Sequence, residues 1–185
     1  MINSITFDKS FASHEKAKYW SIKNLFKPEE VSKCSNIKYW FNCDKCPHDF
    51  NSILSNINKG KWCPYCSNHK ICNNNDCIMC YNKSFASHEK SIFWSSKNIS
   101  IPREVFKSSS KIVFLNCNYC NHCYSSSLNN INKGQGCPYC SNHKICDDND
   151  CIMCYNNSFA SHEKAIYWSN KNYLSPRNIF TPLKI

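Results

Sequence analysis

The chain has 185 residues, of which 16 are cysteine and only three glycine, and its formal net charge is +10. Three glycines are too few to build a phosphate-cradling loop, and no stretch approaches the ~20 apolar residues of a membrane-spanning helix. The opening Met1-Ile2-Asn3-Ser4-Ile5-Thr6-Phe7-Asp8 has neither a basic region nor an apolar run, so no secretory signal is expected and the thiols are expected to stay reduced in an intracellular compartment.

The cysteines repeat at an offset of 74 residues: Cys43, Cys46, Cys63, Cys66, Cys72, Cys77 and Cys80 return as Cys117, Cys120, Cys137, Cys140, Cys146, Cys151 and Cys154. Residues 10–83 align with 84–157 without a gap, and 158–185 match only the opening of the unit. The reading is therefore two units, 1–83 and 84–157, with a partial third at 158–185 as a helical cap. Units this small bury little apolar surface and need staples.

Along each copy, Ser10-Phe11-Ala12-Ser13-His14-Glu15-Lys16-Ala17-Lys18-Tyr19-Trp20 is read as a short helix, with Ser10 or Ser13 as N-cap and Trp20 plugging the core. Pro28 before Glu29 and Glu30 marks a second, very short helical turn. Tyr39-Trp40-Phe41-Asn42-Cys43, matched by Val113-Phe114-Leu115-Asn116-Cys117, is aromatic and β-branched enough for a strand. A return strand is expected near residues 50–54, and Asn58-Lys59-Gly60 supplies the following turn.

Two Cys-x2-Cys pairs bracket this hairpin, and a tight turn carrying two thiolates is half of a tetrahedral zinc site. Cys43/Cys46/Cys63/Cys66 and Cys117/Cys120/Cys137/Cys140 are thus expected to hold one zinc each. Cys72/Cys77/Cys80 and Cys146/Cys151/Cys154 lack a fourth donor. His88 and His162, eight residues past the last cysteine at the start of the next helix, are favoured to complete them, for four Zn2+ in all. His69 and His143 are the alternative donors. His48 and His122 are read as hydrogen-bonding or surface groups, Cys34 and Cys123 as free thiols, and Cys123 also as a competing ligand.

The order of tryptophan, Lys-Asn, proline, aromatic strand into Cys-x2-Cys, His48, glycine turn and Cys63-Pro64-Tyr65-Cys66 resembles the zinc-ribbon or treble-clef repeat found in tandem arrays, notably in giant DNA viruses of amoebae. The resemblance implies a small α+β, zinc-stabilised fold of tandem β-hairpin units with short helices. It also implies zinc binding and little else, although some relatives carry the repeats beside an endonuclease domain. Paired carboxylates suited to acid–base chemistry are absent, and a closed four-thiolate site has no open position for a catalytic water, so no enzyme is expected.

Fourteen thiolates set against the eight charges of four Zn2+ lower the formal +10 by six, to about +4. Lysines around the second knuckle (Lys59, Lys61, Lys70, Lys133 and Lys144) and the knuckle residues Tyr65 and Tyr139 are placed to meet phosphates and bases, although solvated lysines and packed tyrosines are the commoner use. The resemblance to endonuclease-linked repeats is what makes DNA or RNA the favoured partner, bound weakly and without sequence specificity. The alternative is a structural or protein-interaction scaffold, as part of a viral particle or replication compartment.

Overall fold

The computed structural model describes residues 5–181, so the first four residues of the first expected unit and the last four of the partial third lie outside it. The chain divides between Lys83 and Ser84 into two compact units, the second of which includes the partial third copy.

In the first unit the opening segment does not form one α-helix. It forms two 3₁₀ turns, Phe11–Ser13 and Glu15–Tyr19, separated by extended His14. The imidazole is the reason: His14 Nδ1 accepts from the Lys16 N–H at 3.0 Å, so the histidine, not a serine, caps the second turn. Its ring stacks on Phe11 at 5.0 Å, and Phe11 is fully buried. Trp20 packs beside the core, partly buried, with its indole N–H on the Phe26 carbonyl at 2.9 Å. Pro28–Glu30 forms the short turn, with the Glu30 carboxylate accepting from the Lys27 N–H.

Strands β1 (Lys38–Asn42) and β2 (Asp49–Ile53) pair antiparallel, Phe41 opposite Phe50. Alternation sends Tyr39 and Phe41 inward and leaves Trp40 outward. Two short helices complete the unit, α1 (Leu54–Asn58), which buries Leu54 and Ile57, and α2 (Ile78–Lys83), which buries Cys80. Gly60 follows α1 at φ 76°, a conformation that costs glycine nothing.

The second unit repeats this plan with β3 (Ile112–Asn116), β4 (Cys123–Ser127), α3 (Leu128–Asn132) and α4 (Ile152–Asn157). Its core gathers Phe85, Val105, Val113, Leu115, Tyr124, Leu128 and Ile131. The partial third copy adds the turns Phe159–Ser161, Glu163–Tyr167 and Pro176–Asn178. It is tied together by the Phe159 N–H on the Ile179 carbonyl at 2.7 Å. Among the described residues no helix is long and apolar enough to cross a membrane.

Candidate metal centres

Among the described residues four groups of four donors emerge, each with ligand atoms within 4.8 Å of one another. The first is Cys43, Cys46, Cys63 and Cys66, where β1 runs into the first knuckle and the segment after α1 brings up the second. Sulfur separations of 3.6 Å for Cys43–Cys66 and for Cys46–Cys63 approach the ~3.8 Å that four Zn–S bonds of ~2.3 Å impose at tetrahedral angles. They are far beyond the ~2.05 Å of a disulfide, and all these thiols are free. Cys117, Cys120, Cys137 and Cys140 repeat the arrangement, with separations of 3.5 and 3.6 Å.

Backbone amides serve these sulfurs, as the Lys45 N–H does for Cys43 at 3.4 Å. After the second knuckle Asn68 and Asn142 take φ 59° and 55°. That turn returns the amides of His69 and Lys70 to the Pro64 carbonyl, and those of His143 and Lys144 to Pro138.

The remaining groups correct the histidine expectation. The imidazoles beside the three-cysteine sets belong to His48 and His122, not to His88 and His162. His48 Nε2 lies 3.4 Å from Cys77 Sγ and 3.5 Å from Cys80 Sγ, and His122 Nε2 lies 3.4 and 3.6 Å from Cys151 and Cys154. The knuckle tyrosines hold the rings in place: Tyr65 stacks on His48 and Tyr139 on His122, each at 4.2 Å. One face of each tyrosine is therefore engaged within the unit.

His88 and His162 are occupied elsewhere. Their Nδ1 atoms accept from the Lys90 and Lys164 amides at 3.1 and 3.0 Å, and their rings stack on Phe85 and Phe159. His14, with no cysteine set before it, does the same. His69 and His143 are exposed and bond to Ser67 and Ser141. Cys123 sits on β4 with its thiol toward Ser95 Oγ, and Cys34 is exposed.

His48 touches both clusters of its unit, since its Nδ1 lies 3.2 Å from Cys46 Sγ. A metal held by Nε2 would place the ring proton on Nδ1, facing Cys46 Sγ, so that one ring would link two centres. In the second unit His122 Nδ1 is buried without a hydrogen-bond partner. The knuckles differ at this point: Pro47 stands where Asn121 takes φ 58°.

Burial pushes the Cys63, Cys80, Cys120 and Cys154 thiols up to about 11. At Cys72 burial acts upward too, but hydrogen bonds from His48, the Asn74 backbone and neighbouring cysteines outweigh it and bring the thiol down to about 6. Buried thiols grouped this closely ionise readily only beside a cation, and four donors of sulfur, or of sulfur and imidazole, at this spacing fit Zn2+.

One contributor had no place in the cysteine pattern. Arg177, on the Pro176–Asn178 turn, donates from Nη2 to the Asp148 carbonyl at 2.8 Å and lies 4.0 Å from Cys146 Sγ. Arg103 and Arg177 are the chain's only arginines and share one repeat position, where the first copy, with no cysteine set before it, has Glu29. That distribution was the available signal. For His48 the signal is weaker, because it lies far from its three cysteines along the chain and is carried in by the hairpin.

A family model described as a probable treble clef zinc finger domain matches residues 16–69 and 93–143. An uncharacterized protein of Acanthamoeba polyphaga mimivirus is 42% identical over 185 residues, covering 97% of this chain. The chain spans 45% of that relative's length. Duplicated knuckles, hairpins and four-donor groups agree with the family match, and the chain belongs to the probable treble clef zinc finger family.

Proposed function

We propose that the chain is a non-enzymatic zinc module that binds nucleic acid weakly and without sequence specificity, with His48 and His122 as the fourth ligands of its mixed sites. Each group supplies four protein donors, which leaves no position for a catalytic water and supports a structural role for the metal. Bound zinc would contribute the folding free energy that the small cores lack.

The observation that carries the binding reading is the state of the lysines. Lys59, Lys61, Lys70, Lys133 and Lys144 are all exposed, and the ion pairs of the described residues involve only Lys16 and Lys23. Unpaired ammonium groups flanking the second knuckle are suited to phosphates, whose binding releases counterions. A net charge of about +4 after metal loading supports modest affinity.

A mobility-shift series over rising salt tests this. Weak binding to DNA and RNA should fall steeply with ionic strength, and changing the five lysines to Ser should abolish it with zinc content unchanged. No binding at low salt would favour the scaffold. That reading has its own support, since Leu25, Ile99 and Tyr173 share a repeat position and are 89, 106 and 100% exposed.

A further inference from the structure

We infer that the second unit carries an open slot for a single nucleobase, beside its four-cysteine centre. The first unit shows what the slot fits. There Trp62 lies against Phe41, Phe50 and Tyr19, with ring centroids 5.5, 4.9 and 5.7 Å away. Lys16 Nζ stands 4.8 Å over the indole, whose N–H donates to Asp44 at 2.7 Å. The first copy thus packs its own flat heteroaromatic ring between aromatic walls, under a cation, with its polar edge held by a side chain.

At the repeat position of Trp62 the second copy has Gly136. A cavity of about 290 Å3 is found there, lined by Lys90, Phe93, Asn118, Tyr119, Tyr124 and Gly136 among others. Lys90, Phe93, Asn118 and Tyr124 are the counterparts of Lys16, Tyr19, Asp44 and Phe50, which hold the indole in the first unit. The volume is at the small end for ligand pockets and suits one ring system. A Cβ at Gly136 would meet nothing within 4 Å, so the space is open and the backbone does not require glycine.

The substitutions around the slot select the ligand. Asp44 can only accept, whereas Asn118 both donates and accepts, matching the mixed edge of a base. Losing that carboxylate also removes the ion pair that Lys16 makes at 3.3 Å. Lys90 Nζ instead donates to the Gln135 carbonyl at 3.1 Å and keeps its charge for a phosphate. Tyr119, which replaces Lys45, is 87% exposed and adds an aromatic face at the rim. Aromatic walls, an amide and an uncompensated cation together suit a nucleotide of a single strand.

This inference rests on the nucleic-acid reading, and its test separates the two. The zinc-loaded full chain is titrated with a twelve-residue single strand containing 2-aminopurine at alternate positions, and with a strand of the same length made of abasic residues. Wild type should quench the 2-aminopurine emission and bind the base-bearing strand roughly tenfold more tightly. Gly136→Trp, which installs the first unit's own plug, should bind both strands alike with four zinc ions retained, and Tyr119→Ala should weaken the preference in part. Equal, salt-dependent binding of the two strands by wild type would overturn the slot and leave phosphate binding standing. Failure to bind either strand at low salt would overturn both. Binding of N-acetyltryptophanamide by wild type but not by Gly136→Trp, with the strands bound equally, would overturn the base assignment and give the slot to an aromatic side chain of a protein.

Discussion

His48 sets one nitrogen 3.2 Å from a sulfur of the first cluster and the other 3.4 Å from a sulfur of the second, so its removal should be felt at both. Losing a donor leaves a three-thiolate site whose metal is more exposed and more weakly held. His48→Ala, challenged with a mild chelator, should retain three zinc equivalents rather than four by metal analysis. His88→Ala should retain all four and lose about 1 kcal/mol of stability, the usual worth of an N-cap, in a denaturant titration. Burial also holds the His88 imidazole below its ordinary 6.5. Because its Nδ1 must stay unprotonated to accept from Lys90, the cap is intact above the unfolded value and is lost as pH falls through the folded one. A proton NMR titration of the His88 ring should show this depressed midpoint. The cysteines were legible in the sequence because knuckle spacing is a local property of the chain. The histidines were not: a strand, a short helix and a knuckle separate His48 from Cys72, and only the folded path of β1 and β2 decides which imidazole arrives.

At the scale of elements, β1 and β2 could be read from the aromatic run and the glycine turn, while the opening helix resolved into two 3₁₀ turns capped by His14. The short helices α2 and α4 left no periodic signal, since six residues give too few turns for a pattern, and the buried Cys80 and Cys154 fix them by anchoring one face to a cluster. The Pro176–Asn178 turn stands at the repeat position of Pro28–Glu30 and delivers Arg177 to the second mixed site. A guanidinium donating toward a thiolate and its loop carbonyls stiffens the loop and offsets negative charge on the sulfur. Arg177→Ala should therefore speed zinc transfer to a chromophoric chelator by roughly ten- to a hundredfold at this site, by analogy with other outer-shell losses. Arg177→Lys should recover part of the effect, because an ammonium keeps the charge but lacks the planar fork. An unchanged rate would assign Arg177 to loop packing alone.

For the whole molecule, metal and fold are one equilibrium. Each core is built around a few fully buried side chains, Phe11, Phe41 and Leu54 in one and Phe85, Leu115 and Leu128 in the other, and both enclose sulfurs whose ionisation burial opposes. Without a cation those thiols would have to be buried either protonated at close quarters or charged and uncompensated, and the open chain avoids both. Chelation under reducing conditions should thus unfold the protein, with loss of amide dispersion in NMR spectra. In the unfolded chain the thiols return to about 8.5 and are largely protonated at pH 7. Adding zinc back should then release close to one proton for each of the fourteen ligand cysteines, as measured by calorimetry in buffers of different ionisation enthalpy. The sign of the pH dependence follows: acid supplies the protons that displace zinc, so unfolding sets in as pH falls, and the loss is steep because several protons replace each ion. A release near eight protons would limit metal to the two four-cysteine sites and leave the mixed sites as hydrogen-bonded clusters. A folded, metal-free chain would show that the hydrophobic cores suffice by themselves.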